Sequence, residues 1–433
     1  MAMVVKNNMS AVRTLNVLNQ NSSALQKSLT KVASGMKING AQDDAAGYAI
    51  SERMRVRIRS LDQANQNSQN DSALMKTAEG AVANTIEILK ALKEKAINAA
   101  NDSNTDEDRQ TIQKEVDQFI DQIDDNALVQ FNGKYLVDGS KNNVVSSSKT
   151  ILLNQFLATD TDSSSALTTL NNRAGDALEI QSTDKYTVSW VVNGTTNTTS
   201  GTVAGVELQS LLTLSGGAVT QQSTTTPSPI GTDKFDVEVY TPDKSPGIAL
   251  VSSTPGVTNQ ISGFTISIMD SDGNVKKAAN AALDQFKQYQ RAENQTGDKS
   301  LTFHVGAEAN VAIKVGIGDM RAEALGLKGT TGERILVTTK ENANAAINVI
   351  ENALAKALDQ QTTIGAIEAR LEYTSSNLTT SSENVQASES TIRDADMAKE
   401  MTNYTKNNVL LQSAQAMLAQ ANQNSSAVLS LLQ

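Results

Sequence analysis

Lys340–Ile392 reads KENANAAINVIENALAKALDQQTTIGAIEARLEYTSSNLTTSSENVQASESTI, and one apolar position returns through it every seven residues: Ile350, Ala357, Ile364, Leu371, Leu378, Val385 and Ile392. Ile347 and Leu354 add a second seam position early on; later the companion positions turn polar or shift to Ile367. A sustained period of seven keeps one stripe facing a partner helix. At 1.5 Å per residue the stretch predicts a rod of roughly 80 Å, a length that no single compact domain needs.

The N-terminal half supplies partners for that rod. Met75, Ala78, Val82, Leu89, Leu92 and Ala96 step by threes, fours and sevens. After NDSNTDED, a loop with a helix-start signature, Ile112, Val116, Phe119 and Ile123 do the same. Both extremities continue the pattern. Val5, Met9, Val12, Leu18, Leu25, Leu29 and Val32 mark one end, and Met397, Met401, Tyr404, Leu411 and Leu418 the other.

Composition agrees with long thin helices. Of 433 residues 39% are hydrophobic and 3% aromatic, with one Trp, one His and no Cys, and mean hydropathy is −0.32. Ala-, Leu- and Gln-rich sequence with few aromatics suits helices that bury narrow stripes. A net charge of −10 argues against nucleic acid, whose phosphates need clustered Lys and Arg. No run of about 18 apolar residues is present, so no transmembrane helix is expected. The start, MAMVVKNNMSAVRTL, lacks the apolar stretch of a cleavable signal peptide. Taken alone, these features point to the cytosol.

The middle differs. All five prolines lie between Pro227 and Pro255, and proline breaks helix interiors. DKYTVSWVVNGTTNTTSGTV, KFDVEVYT and GFTISIMDSDGNVK carry β-branched and aromatic residues bounded by turn signals. They predict β-hairpins, joined by loops such as GGAVTQQSTTTPSPIG. Two Asn-x-Thr sequences, at Asn193 and Asn197, suggest an exposed loop there. The fold class expected is therefore mainly α: a long helical hairpin or coiled-coil rod formed by the N- and C-terminal regions, with an inserted β-rich central domain. A chain that goes out and comes back brings its ends together. NQNSSA occurs at Asn19–Ala24 and again at Asn422–Ala427, and paired ends would give that echo a reason.

Chemistry is sparse. A single histidine forbids a two-His zinc motif, and His304, in an alternating LTFHVG stretch, reads as an incidental strand residue. Gly316-x-Gly318 follows a strand pattern, but Arg321 stands where a dinucleotide fingerprint needs its third glycine. Asp270–Asn274 resembles the start of a calcium loop but lacks the Glu at position twelve, so turn chemistry explains it. Asp43–Asp44 and Asp124–Asp125 read as solvated faces or helix ends. No enzyme activity, cofactor, catalytic residue or metal ligand is expected.

Two stretches carry more than pattern. SLTKVASGMKINGAQDDAAGYAISERMRVRIRSLDQANQNSQNDSALMKTAEGA (28–81) and SESTIRDADMAKEMTNYTKNNVLLQSAQAMLAQANQNSSAVLSLLQ (388–433) closely resemble the terminal signatures of bacterial flagellin, the flagellar filament subunit. FNGKYLVDG (131–139) and IGDMRAEALGL (317–327) also resemble that family. The likeness covers roughly 1–140 and 300–433. It implies a helical polymer built from copies of this chain for swimming motility, extracellular and exported without a cleaved signal. Residues 1–45 and 394–433 would form the inner tube, 46–140 and 299–393 the outer rod, and 141–298 a surface-projecting domain. The arms would order only against neighbouring copies, since ordering one residue costs about 1–2 kcal/mol.

The assembly-interface residues expected on this reading are Leu18, Leu25, Leu29, Val32, Met397, Met401, Leu411 and Leu418. The rod seam is Ile350, Ala357, Ile364, Leu371, Leu378 and Val385. The resemblance implies an export chaperone, a filament cap and hook-associated proteins as partners, with no nucleic acid and no membrane. Flagellins sensed by a host Toll-like receptor carry a pattern close to LxRMRELAxQAAN; here Leu89–Asn101 reads LKALKEKAINAAN. Ala91 replaces the family's contacting Arg and Lys95 its Leu, while Glu115 keeps the acidic partner, so weak receptor activation is expected. The alternatives are a hook–filament junction protein with similar termini, an enzyme in the central domain, or a helical-stalk adhesin.

Overall fold

The computed structural model describes residues 8–222 and 229–431. The helices are α1 (Met9–Ser34), α2 (Ala45–Ala99), α3 (Asp106–Ala127), α4 (Leu208–Leu212), α5 (Lys277–Leu283), α6 (Ala322–Leu325), α7 (Lys340–Arg393) and α8 (Met397–Leu431). Strands occupy the middle of the chain, which makes the class mainly α with a strand-rich insertion, as expected. None of the described helices is long and apolar enough to cross a membrane. The chain divides into two compact units. One comprises the residues up to Ser68, with His304–Val311 and everything from Tyr373 on; the other is Gln69–Phe303 with Ala312–Glu372.

In the second unit the helical stripe forms as its spacing dictates. Met75, Ala78, Val82, Leu89, Leu92 and Ala96 are fully buried on α2, and Ile350, Ala357, Ile364 and Leu371 on α7. Lys93 of α2 pairs with Glu351 of α7 at 2.6 Å, and Lys340 with Asp102 at 2.6 Å. Helix α3 starts on the expected signature. Thr105 accepts from the Asp108 N–H while the Asp108 side chain accepts from the Thr105 N–H, a reciprocal capping box.

The buried face of α3 is shifted from the expected stripe. Val116 and Ile123 are buried, but Ile112 and Phe119 are only partly covered, and Gln113 and Ile120 take the interior positions. Gln113 acts there as a surrogate strand residue: its amide donates to Ile335 O at 3.0 Å and accepts from the Val337 N–H at 2.6 Å. Asp124 is likewise structural and not a solvated acid, accepting from the Ala322 N–H at 2.8 Å and from Lys328 at 3.0 Å.

Two larger antiparallel sheets build most of the strand-rich part, beside a short pairing of Gly231–Thr232 with Glu238–Val239. The first orders Ile261–Met269, Lys185–Val192 and Thr195–Thr202; Phe264 lies opposite Trp190. Its hairpin turns at Asn193-Gly194, both with positive φ as a two-residue NG turn requires. The second orders Lys287–Gln290, Ile151–Asn154, Gly247–Val251 and Ala218–Gln222. That last strand falls where the sequence reading placed only loop; residues 223–228 lie outside the described residues. A core of Leu152, Leu167, Leu208, Leu250, Phe264 and Ile268 fills the space with α4 and α5, and Phe264 meets Phe286 edge-on at 5.3 Å. The Asn193 turn is not free in solvent: Thr330 donates to its side-chain oxygen at 2.9 Å from the backbone.

The first sheet docks on α7 through an asparagine ladder. Asn348 donates to Phe264 O at 3.1 Å and Asn352 to Ser262 O at 2.8 Å. Residues four apart share a helix face, so both reach the same strand. Gly263 permits the approach, because a Cβ there would stand 2.7 Å from Ala345 O.

Candidate assembly surface

Helix α1 begins on Asn8, whose side chain accepts from the Ala11 N–H, and ends on Gly35 in the left-handed region at φ 74°. It packs against α8, and three asparagines fix the direction. Asn8 donates to Ala421 O at 3.3 Å, Asn21 to Leu410 O at 3.2 Å, and Asn407 to Ser28 Oγ at 3.1 Å. Rising numbers on one helix meet falling numbers on the other, so the two ends of the chain run antiparallel side by side. The register also answers the NQNSSA echo. Asn21 faces Leu410, whereas Ala421 faces Asn8, so the two copies do not oppose one another; the side chains of Ser425–Ala427 lie outside the described residues.

The covered stripe of α1 is Ala11, Thr14, Leu18, Asn21, Leu25, Ser28 and Val32, an alternation of three- and four-residue steps. On α8 it is Asn407, Leu411, Ala414, Leu418 and Ala421. Every second position of α1's seam is Thr, Asn or Ser. Such a seam orients the helices through hydrogen bonds but removes little apolar surface from water. Among the described side chains of these two helices only Ser28 and Ala414 are buried outright.

Of the residues expected at the assembly interface, Leu18, Leu25, Val32, Leu411 and Leu418 sit half-buried on this intrachain seam, while Leu29, Met397 and Met401 face outward. A second set was not singled out for the interface: Val12, Leu15 and Val17 are 48%, 45% and 48% exposed, Leu410 42% and Met417 63%. Val12 and Leu15 stand one step past seam positions, Leu410 and Met417 one step before. Val17 stands one step before Leu18, so exposed apolar side chains flank the seam on both sides of α1; Met9 and Val12, expected on the stripe itself, belong to this outward set. Met9 and Val409 are 58% and 56% exposed.

The same unit holds the crossing of the two chain ends. Lys37 N–H donates to Arg393 O at 2.8 Å, and Ala395 N–H to Gly35 O at 2.9 Å. The Arg393 side chain, 7% exposed, donates to Glu52 Oε1 at 2.7 Å and lies over the Tyr48 ring at 5.6 Å. Its guanidinium holds the Glu52 carboxyl below the usual glutamate range. Asp44 caps α2, accepting from the Ala46 and Gly47 N–H groups. Leu61 and Ala64 of α2 pack on Leu378 of α7, with Val385 and Ala307 at the edge. Asp62 accepts from Ser382 at 2.9 Å, and Asn65 Oδ1 from Ser375 at 2.6 Å.

In the second unit Lys95 and Glu115 form an ion pair, and Ala91 is half-exposed on the same helix as Lys95. His304 is an exposed strand residue. Asp270 accepts the Asp272 and Asn274 N–H groups, the turn expected of DSDGN.

The chain matches two family models, the bacterial flagellin N-terminal helical region over residues 5–142 and the bacterial flagellin C-terminal helical region over 347–432. It is 34% identical over 424 residues to a flagellin of Clostridium tyrobutyricum, covering 97% of this chain and 99% of that protein. A flagellin of Bacillus subtilis is 30% identical over 450 residues, covering 99% and 100%. A solved flagellar hook-associated protein-3 from Legionella pneumophila matches over 78% of this chain and 97% of its own at 17% identity, with a TM-score of 0.34. Near-full-length identity of this order, together with both terminal models in their expected places, establishes that the chain belongs to the flagellin family.

Proposed function

We propose that the chain is a structural subunit that polymerises with copies of itself into a bacterial flagellar filament serving swimming motility. The observation that carries this is the pair α1/α8, which leaves a flank of Val, Leu and Met half-exposed on both helices although its own seam is formed. Fully burying one such side chain is worth about 1.5–3 kcal/mol, so covering the exposed half yields about 1 kcal/mol each. Summed over ten residues, that is an association free energy on the order of 10 kcal/mol before ordering costs. The flank sits among Asn, Gln and Ser, and the pair carries Arg13, Lys27, Lys31, Lys399 and Lys406 against Glu400 alone, so added salt should favour the meeting of copies.

On this reading residues 1–45 and 394–433 form the inner layer, 46–140 and 299–393 the outer layer, and 141–298 the part that projects. The assembly residues are the outward Leu29, Met397 and Met401 with the flank Val12, Leu15, Val17, Leu410 and Met417; the seam residues shape the pair they ride on. The polymer is extracellular, and the subunit is not an enzyme. An export chaperone, a filament cap and hook-associated proteins are its partners by family. The Lys95–Glu115 pair supports weak activation of a host Toll-like receptor, since it occupies the acidic group that an incoming receptor would use. Seeded polymerisation followed by negative-stain imaging tests the reading: filaments of uniform diameter support it, and soluble subunits under all seeding conditions overturn it.

A further inference from the structure

A cavity of about 470 Å³ opens in the second unit, walled by the segment around Gly316–Arg321, the segment after Lys287–Gln290, and one face of α7. Its α7 wall carries Lys356 and Gln360, four apart and therefore on one face. Lys356 Nζ is spoken for once, donating to Ala324 O at 2.9 Å; an ammonium has three donors. Gln360 is fixed in orientation by the Gly318 N–H, which donates to its Oε1 at 2.9 Å. Its Nε2 is then a buried donor with no acceptor. Gly318 makes that contact possible, because a Cβ there would crowd Oε1 at 2.9 Å. The second glycine of the pair that looked like a broken nucleotide fingerprint thus seats this amide, while Gly316 lies against Asn143.

The opposite wall carries Arg291, whose Nε donates to Gln288 Oε1 at 3.1 Å and whose Nη2 donates to Asn352 O at 3.1 Å. Gln288 Nε2 is a second buried donor without an acceptor, in an adjoining cavity that shares Arg291. Four acids line the first cavity, Asp138, Glu293, Asp319 and Asp359, of which Glu293 and Asp359 also line the second; Asp319 is taken up by Arg321 at 2.6 Å, and Asp138 accepts from the Ser140 N–H at 2.9 Å. Burial depresses the Lys356 ammonium to about 8, and it lowers Arg291 as well. Buried donors without acceptors cost about 1–3 kcal/mol each. Carboxylates line the cavity, yet among the described residues none lies within ion-pair distance of Lys356 or Arg291, so these two cations and the Gln360 amide are left without a close oxyanion partner.

We propose that this cavity binds a small oxyanion, a carboxylate or phosphate group, between Lys356, Gln360 Nε2 and the Arg291 guanidinium. Glu293 and Asp359 limit the site to a ligand of low charge, and they exclude polyphosphates and nucleic acid.

The test uses the full-length chain with inorganic phosphate and, separately, acetate as probes, followed by phosphorus line broadening and by calorimetric titration at constant ionic strength. Saturable binding in the millimolar range is expected for the native chain. Gln360→Glu keeps the acceptor for the Gly318 N–H but replaces the free donor with a like charge, so it should weaken binding by at least about tenfold. Lys356→Met should do the same, whereas Lys314→Met, at an exposed pair with Asp298, should not. Thermal unfolding of each variant checks that the fold persists. Binding to phosphate alone, or to acetate alone, assigns the ligand class within the proposal. Absence of saturable binding in the native chain, or equal binding in Gln360→Glu and Lys356→Met, overturns it.

Discussion

Arg393 reaches across from the end of α7 to Glu52 in the second turn of α2, closing a 2.7 Å charge-assisted hydrogen bond. Its own carbonyl accepts from the Lys37 N–H. One residue therefore ties the N-terminal arm, the outer helix and the C-terminal return at a single point. The pair also sets an acid limit. Glu52 is held below its ordinary value of 4.5, mainly by Arg393, so the folded state binds its proton less readily than the unfolded chain does. The stabilisation is then complete above the ordinary glutamate range and is lost as pH falls through the lower, folded value. Glu52→Gln should be less stable than the native chain at pH 7, and the gap should close in acid. Thermal unfolding across pH would show a constant gap at every pH if the relationship did not matter.

The rod seam should grade with burial. Ile364 and Leu371 are at most 1% exposed, Leu378 is 8% exposed, and Val385 only partly covered. Truncating Ile364 or Leu371 to Ala should cost about 2–5 kcal/mol by urea unfolding of unassembled subunits. Val385→Ala should cost clearly less. Equal losses at all positions would mean the heptad does not mark the packed stripe.

The arms should behave in the opposite way. Val12→Ser, Leu15→Ser or Met417→Ser touches exposed flank, so stability of the unassembled subunit should change by no more than about 0.5 kcal/mol. The critical concentration for polymerisation should rise about five-fold per substitution, from about 1 kcal/mol of lost burial. Sedimentation of seeded reactions measures this directly. A flank variant that unfolds the subunit but polymerises normally would contradict the assignment.

Much of this was legible in the sequence, and the gaps have a common cause. Ile350 to Leu371 and Met75 to Ala96 were found because one stripe per helix faces one partner. The Asn193-Gly194 turn and the Thr105 cap were found because their chemistry is local. Gln113, Asp124, Asn348 and Asn352 were not, because a polar side chain is buried usefully only where a distant backbone supplies its partner. Leu15, Leu410 and Met417 lay one step off the seam, where a search for spaced apolar positions passes them over, while Met9 and Val12 entered that pattern but face outward in the structure. Nor could the spacing show that the NQNSSA copies sit out of register, since that depends on where each helix starts.

Asp284 offers a pH-dependent check on the inserted part. It accepts from the Ile266 N–H at 3.3 Å, but burial pushes its carboxyl up to about 7. The folded chain then holds a proton that the unfolded chain releases above about 4, so stability falls as pH rises from about 4 to about 7 and is flat beyond. Asp284→Asn should abolish that slope and raise the melting temperature at pH 8, by about 2–4 °C for each kcal/mol relieved. A variant that melts at or below the native chain at pH 8 would show that the carboxylate is well solvated.

Hydrogen exchange of the backbone, read peptide by peptide in free subunits and in seeded filaments, tests the account most directly. Segments within Met9–Ser34 and 397–424 should exchange quickly in the free subunit and become at least about a hundredfold slower in filaments, as order supplied by neighbours implies. Segments around Met75–Ala96 and Ile350–Leu371 should be slow in both. Arms already as protected in the free subunit as in the filament, or arms that stay fast after polymerisation, would contradict it.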